Sequence, residues 1–205
     1  KRFEPQMRHL IDNYIDAEES RKVSSFGDLT LVDLVIKSGI STMINNLPEK
    51  TRKNQTTSAE TVESNVRKTL SKERPKDPEF FDKMSILLDE LILERKKDAS
   101  KYEQYLKDIE KLCKDIGNHF ADEKFPKNIN TKTRKVLYNN LENNENLVVK
   151  LDESILKNKP EGWKGHMIKE KMVKQIIEET LKKENIDDPD LVQKILDLAI
   201  NQDEY

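Results

Sequence analysis

The residue types that do chemistry are sparse in this chain and poorly spaced for it. His9, His119, His166 and the single cysteine, Cys113, lie far apart in sequence. No two histidines have the helical spacing at which a pair of metal ligands is presented, so no metal site is expected. A phosphate-cradling loop needs glycines that let backbone N–H groups approach, closed by Lys-Ser or Lys-Thr. The five glycines are isolated, and no cofactor is expected within this stretch. An Mg2+-dependent nuclease centre needs clustered carboxylates and a lysine near the scissile phosphate, usually on adjacent strands. The nearest pairing, Glu94 with Lys96, sits in a helical pattern where side chains two apart diverge. Cys113 occupies an apolar-stripe position, which suits a small buried residue better than a nucleophile. No catalytic residue is assigned.

Binding chemistry is the remaining possibility. Three basic clusters occur: Lys50 with Arg52 and Lys53; Arg95 with Lys96 and Lys97; and Lys132 with Arg134 and Lys135. Each could touch a phosphate, with Arg95, Lys96 and Lys97 the leading candidates. The plainer reading is a solvated face, which the missing aromatic interleaving and the missing net positive field favour. Trp163, flanked by Gly162 and Lys164, reads equally as a partner anchor or as a plug in the helical core. Tyr138 carries the same two readings, whereas Tyr205 at the terminus is expected to be exposed or disordered.

Composition frames these candidates. Charged residues make up 37% of the 205 and apolar ones 35%, with few Gly and Pro, a balance that favours solvated helices. The net charge is −2, and neither part of the chain is basic: 24 basic residues face 24 acidic ones up to Asn130, then 13 face 15. A dedicated nucleic-acid module usually carries a basic excess. A lone cysteine and the lack of a long apolar run point to a cytoplasmic protein with no membrane partner. There is no initiator Met and no signal-peptide pattern, as expected of a piece of a longer protein.

The elements that must position these residues are helical. Met7, Leu10, Ile11, Tyr14 and Ile15 give one amphipathic face over about residues 4–18, followed by a loop at 20–28. Thr30 can cap a helix carrying Leu31, Leu34 and Val35, with Gly39 placed to end it in a left-handed turn. Ile40, Met43, Ile44 and Leu47 continue as a short face. Residues 49–57 read as a loop. Thr57 and Glu60 then have capping-box spacing ahead of a thin stripe of Val62, Val66 and Leu70 that would pack by one edge.

Asp77 followed by Pro78 is a strong helix start. The stripe Phe81, Met84, Leu88, Leu91, Arg95, Tyr102, Leu106, Ile109, Cys113 and Ile116 predicts one long helix over about 78–116. Unbroken, it would span roughly 58 Å, more than the diameter of about 43 Å of a compact chain this size, so the bundle is expected to be elongated. The stripe is poorest at residues 98–100, where a kink could fold it into a hairpin. Residues 118–130 read as a linker, separating a first helical domain, 1–117, from a second, 131–205. In the latter Thr131, Asn144 and Asp188 can cap helices, Trp163 lies in a turn, and Ile168, Met172, Val173, Ile176, Ile177 and Leu181 form one helical face. The expected fold is all-α.

Three phrases carry a resemblance across nearly the whole chain. They are FEPQMRHLIDNYIDAEESRKVSSFGDLTLVDL from Phe3; FFDKMSILLDELILERKK with YEQYLKDIEKL; and the block from Val136 containing VLYNNL, KPEGWKGHMIKEK and NQDEY. In this order they resemble the C-terminal helical portion of the R (restriction and motor) subunit of type I restriction endonucleases. The resemblance implies a parent that is an ATP-dependent DNA translocase and Mg2+-dependent endonuclease, in complex with modification and specificity subunits. Its nuclease and motor domains would precede this portion, so ATP and Mg2+ belong to the parent and the fragment itself is expected to be non-catalytic. The implied partners are the modification and specificity subunits and the motor domains of the same chain. The implied role is docking, with contact to the DNA backbone during translocation as the alternative.

Overall fold

The computed structural model describes residues 30–205, so the amphipathic face over 4–18 and the loop at 20–28 lie outside the described residues. From Thr30 onward every regular element is helical, and among the described residues there is no strand. The all-α expectation holds. Thr30 caps α1, Leu31–Ser38, in a full capping box: its hydroxyl accepts the Asp33 N–H at 3.1 Å and the Asp33 carboxylate accepts the Thr30 N–H at 3.0 Å. Gly39 ends that helix at φ +80°, ψ 159°, a positive φ in the extended mirror region rather than the helical one, a conformation reserved for glycine. α2, Ile40–Asn45, follows directly, its first N–H donating to Glu110 at 3.1 Å.

The loop expected at 49–57 holds a short helix, α3, Glu49–Arg52. The next helix, α4, Gln55–Glu73, starts earlier than the Thr57 cap because Asn54 takes that role, accepting the Thr57 N–H at 3.1 Å. Its packing face is also wider than the apolar stripe suggests, since Ser58, Ala59 and Glu63 are buried along with Val62, Val66 and Leu70.

The single long helix over 78–116 is not formed. The chain makes α5, Pro78–Lys97, a 3-10 turn, Ala99–Lys101, and α6, Tyr102–Gly117. The break falls at Asp98, whose backbone is extended and whose carboxylate accepts both the N–H and the hydroxyl of Ser100, at 3.0 and 2.6 Å. Short polar side chains that bond neighbouring backbone compete with helix in this way. The two helices run antiparallel: Arg95 near the end of α5 lies over the Tyr105 ring at the start of α6, and Phe81 at the start of α5 meets His119 just past the end of α6. Folding back replaces the expected elongation with a compact bundle.

Beyond α6 come a 3-10 turn, Asp122–Lys124, then α7, Lys132–Asn140, α8, Glu145–Asn158, α9, Met167–Lys183, and α10, Pro189–Ile200. Thr131, Asn144 and Asp188 cap α7, α8 and α10 through their side chains, as their positions predict. The buried apolar residues form two clusters. One gathers Val35, Met43, Ala59, Val62, Leu88, Ile109 and Cys113 from α1 to α6; the other gathers Ile129, Val136, Leu151, Trp163, Ile177, Leu181 and Ile195. Helices α5 and α7 touch across the boundary. The segment between the clusters is itself packed, with His119 and Ile129 buried.

Candidate functional site

Of the cationic residues considered for phosphate contact, Arg95 is withdrawn into the fold. It lies on the inner face of α5, 9% exposed, and its Nε donates to Glu63 Oε1 at 2.8 Å. The Tyr105 hydroxyl donates to the same oxygen at 2.9 Å. Burial, with the Glu63 carboxylate alongside, pushes the Tyr105 hydroxyl well above its ordinary pKa. Arg95 cannot reach a phosphate without abandoning a buried carboxylate. Lys96 and Lys97 point outward and remain exposed.

The cluster at the start of α7 is similarly engaged. Arg134 donates to Asp152 at 2.6 Å, and buried Lys135 donates to the Phe120 carbonyl at 2.7 Å and to the Asp122 carboxylate, leaving only Lys132 exposed. In the first cluster Arg52 donates to the Asn45 carbonyl and Lys53 pairs with Glu49, both in exposed positions.

Trp163 takes the plug reading. It is 2% exposed within the second cluster, so it is no surface anchor. Lys164 lies over its ring at 5.8 Å and donates to the Gln202 carbonyl; burial lowers its pKa, with Asp203 opposing. Tyr138 is half-buried, edge-on to Phe125 at 6.0 Å. Tyr205, expected to be exposed or disordered, is packed on the second cluster and donates to Asp152 at 3.0 Å. The terminal residues are held by their own polar groups: Gln202 donates to the Lys76 carbonyl, and Glu204 accepts the Lys132 and Thr133 N–H groups at the start of α7.

Little in the sequence signals the polar joint at the boundary between clusters. Asp77, fully buried, caps α5 and accepts from His119 at 2.8 Å, Asn139 at 2.7 Å and Asn140 at 2.7 Å. The His119 ring is stacked between Phe80 at 3.7 Å and Phe120 at 4.0 Å, one ring packed on each cluster. Asp77 was legible as a helix cap; its other partners lie 42 to 63 positions away. An Asp–His pair is a common part of acid–base machinery, but among the described residues its other hydrogen-bond partners are two asparagine amides and a backbone N–H, and its ring neighbours are phenylalanines. The joint is structural. Among the described residues no group of three or more His, Cys, Asp or Glu is placed to hold a metal, and no helix is long and apolar enough to cross a membrane.

What does face outward is apolar. Met167, Ile168 and Met172 are 73%, 68% and 50% exposed, against the expectation that Ile168 and Met172 share the packed face of their helix. The reason is the side each residue faces. Val173, Ile177, Thr180 and Leu181 form the buried side of α9. At about 100° per residue, Ile168 points nearly opposite that side and Met172 well away from it. Lys150 meets Glu184 and Ser154 meets Thr180, so α8 and α9 run antiparallel and α8 ends opposite about Ile176. The first turns of α9 extend past that end. Ile86 and Leu93 are likewise exposed on α5, two helical turns apart.

These features define a helical protein in which several charged groups are bonded into the fold and some large apolar side chains stay exposed. No protein-family model, curated protein or solved structure matches the chain.

Proposed function

We propose that this chain is the C-terminal helical portion of the R subunit of a type I restriction endonuclease and that it acts as a non-catalytic assembly module. It would work in the cytoplasm, joining the ATP-dependent motor and nuclease domains of its parent to the modification and specificity subunits. The observation that carries the reading is the ordered set of three phrases resembling that subunit, spread over nearly the whole chain. The arrangement of side chains supports it: Arg95, Arg134 and Lys135 are bonded inward, while several large apolar side chains stand in solvent, the pattern of a surface that packs against protein.

The test is co-purification of the chain with a modification–specificity complex. Binding at micromolar concentration is expected, and truncation at Asn130 should abolish it if the second cluster carries the docking. A folded chain that fails to bind would remove the reading.

Exposed Lys96 and Lys97, neither ion-paired among the described residues, favour one second reading: a guide contacting DNA phosphates during translocation. It predicts anisotropy-detected binding to duplex DNA that falls steeply with salt. Charge reversal at both lysines should weaken it, and no binding at low salt would exclude it for this chain.

A further inference from the structure

The start of α9 combines the most exposed apolar side chains with a local excess of lysines. Ile168 and Met172 are four residues apart and share one helical face, with Met167 beside them. Between residues 157 and 174 there are six lysines, Lys157, Lys159, Lys164, Lys169, Lys171 and Lys174, against two acidic residues, Glu161 and Glu170. Among the described residues none of the six has an ion-pair partner. Lys164, Lys169 and Lys174 donate to the oxygens of Gln202, Glu161 and Gln193, all neutral backbone or amide groups, and a Glu170 oxygen is engaged by the Gly165 N–H. Asp203 acts on Lys164 and Glu178 on Lys174 without forming an ion pair with them, and the remaining excess is available to a partner in a chain whose overall charge is −2.

We infer that the first two turns of α9 are a docking surface for a protein partner that presents an apolar groove rimmed by carboxylates, seating Met167, Ile168 and Met172. This rests on the assembly reading above and specifies its surface. The lysine field fixes the sign of the rim by charge complementarity. Methionine suits such a seat because its unbranched, polarisable side chain adapts to the groove it fills. A flat anionic bilayer fits less well. Farther along α9 the outer face is polar and includes Glu178 and Glu179 beside Lys182, so a helix laid on the membrane would bring carboxylates against anionic headgroups. Nucleic acid would leave the three apolar side chains without a use.

The experiment uses the full chain, the modification–specificity complex of a type I system as probe, and vesicles of mixed phosphatidylserine and phosphatidylcholine as a second probe. Two variants are compared with the parent by calorimetric titration: a triple M167S/I168S/M172S and a charge-reversed K157E/K171E. All five positions are on the surface, so thermal melts should be unchanged. Each variant is expected to bind the complex at least about tenfold more weakly, and parent binding should weaken as salt rises. Parent binding with both variants within twofold overturns this surface while leaving the assembly reading intact. No parent binding overturns both. Vesicle binding lost in the triple variant, with binding to the complex unchanged, would assign the patch to lipid and overturn the protein partner.

Discussion

Asp77 and His119 meet at 2.8 Å, carboxylate Oδ2 to imidazole Nε2, at a point where Asp77 is fully buried and His119 is 5% exposed. The contact joins the first residue before α5 to the first turn beyond α6, and amides from the end of α7 close it from the other side. A single carboxylate thus ties together elements that belong to both hydrophobic clusters.

Replacing Asp77 by Ala removes a helix cap and takes the shared acceptor from buried His119 and Asn140 and from half-buried Asn139. An unsatisfied buried donor costs about 1–3 kcal/mol and a lost cap about 1. A destabilisation of at least about 3 kcal/mol is expected in urea unfolding. In a double-mutant cycle with His119→Ala the two losses should fall well short of additive, since both remove the same contact; strict additivity would show that the pair is not coupled.

The Glu63–Arg95 pair makes a comparable test in the first cluster. Glu63→Ala leaves a guanidinium, already carrying one unpartnered nitrogen, and the Tyr105 hydroxyl buried without their acceptor. Breaking a buried pair from one side costs about 3–5 kcal/mol. The double replacement Glu63→Met with Arg95→Met should be milder than Glu63→Ala alone. A denaturant midpoint that falls further in the double variant would contradict this account of the site.

Glu204 predicts a pH dependence. Burial pushes its carboxyl upward, but hydrogen bonds from Thr133, Lys132 and Thr131 outweigh that and hold it below its ordinary value. The folded state therefore favours the carboxylate. Its contribution to stability is complete above the unfolded pKa of about 4.3 and disappears as pH falls through the lower folded value. Glu204→Gln should reduce the difference in melting temperature between pH 7 and pH 3 relative to the parent, with the larger loss at pH 7; an equal loss at both would exclude the linkage.

Cys113 is fully buried, and burial pushes its thiol pKa up to about 12. Little thiolate exists near neutrality, and reagents must wait for the fold to open. Reaction with an aromatic disulfide reagent at pH 8 should be slow in buffer and immediate in denaturant. Rapid labelling of the native protein would place the thiol elsewhere.

Local signals carried far in this sequence. Thr30, Asp77, Thr131, Asn144 and Asp188 could be read as helix caps because a cap bonds to backbone only two or three residues away. Apolar spacing located the helices for the same reason, since period is a property of a single element. At α4 the capping-box spacing of Thr57 and Glu60 placed the start too late, since Asn54 caps that helix.

The side a residue faces was a different matter. Arg95 sits in the same triplet as Lys96 and Lys97, yet only it finds Glu63, 32 positions earlier, and is drawn inside. Ile168 and Met172 follow the apolar spacing but stand in solvent because the side of α9 that packs is the one carrying Val173, Ile177 and Leu181. The break at Asp98 was visible as a weak place, but folding back there depends on contacts between α5 and α6 that form only in the assembled bundle. By itself the sequence determined the all-α class, most of the helical faces and most of the caps, because those rest on neighbours along the chain. Tertiary structure alone decided which charges are buried, which apolar side chains stay exposed and where the two clusters are tied, because desolvation and pairing depend on neighbours brought together by the fold.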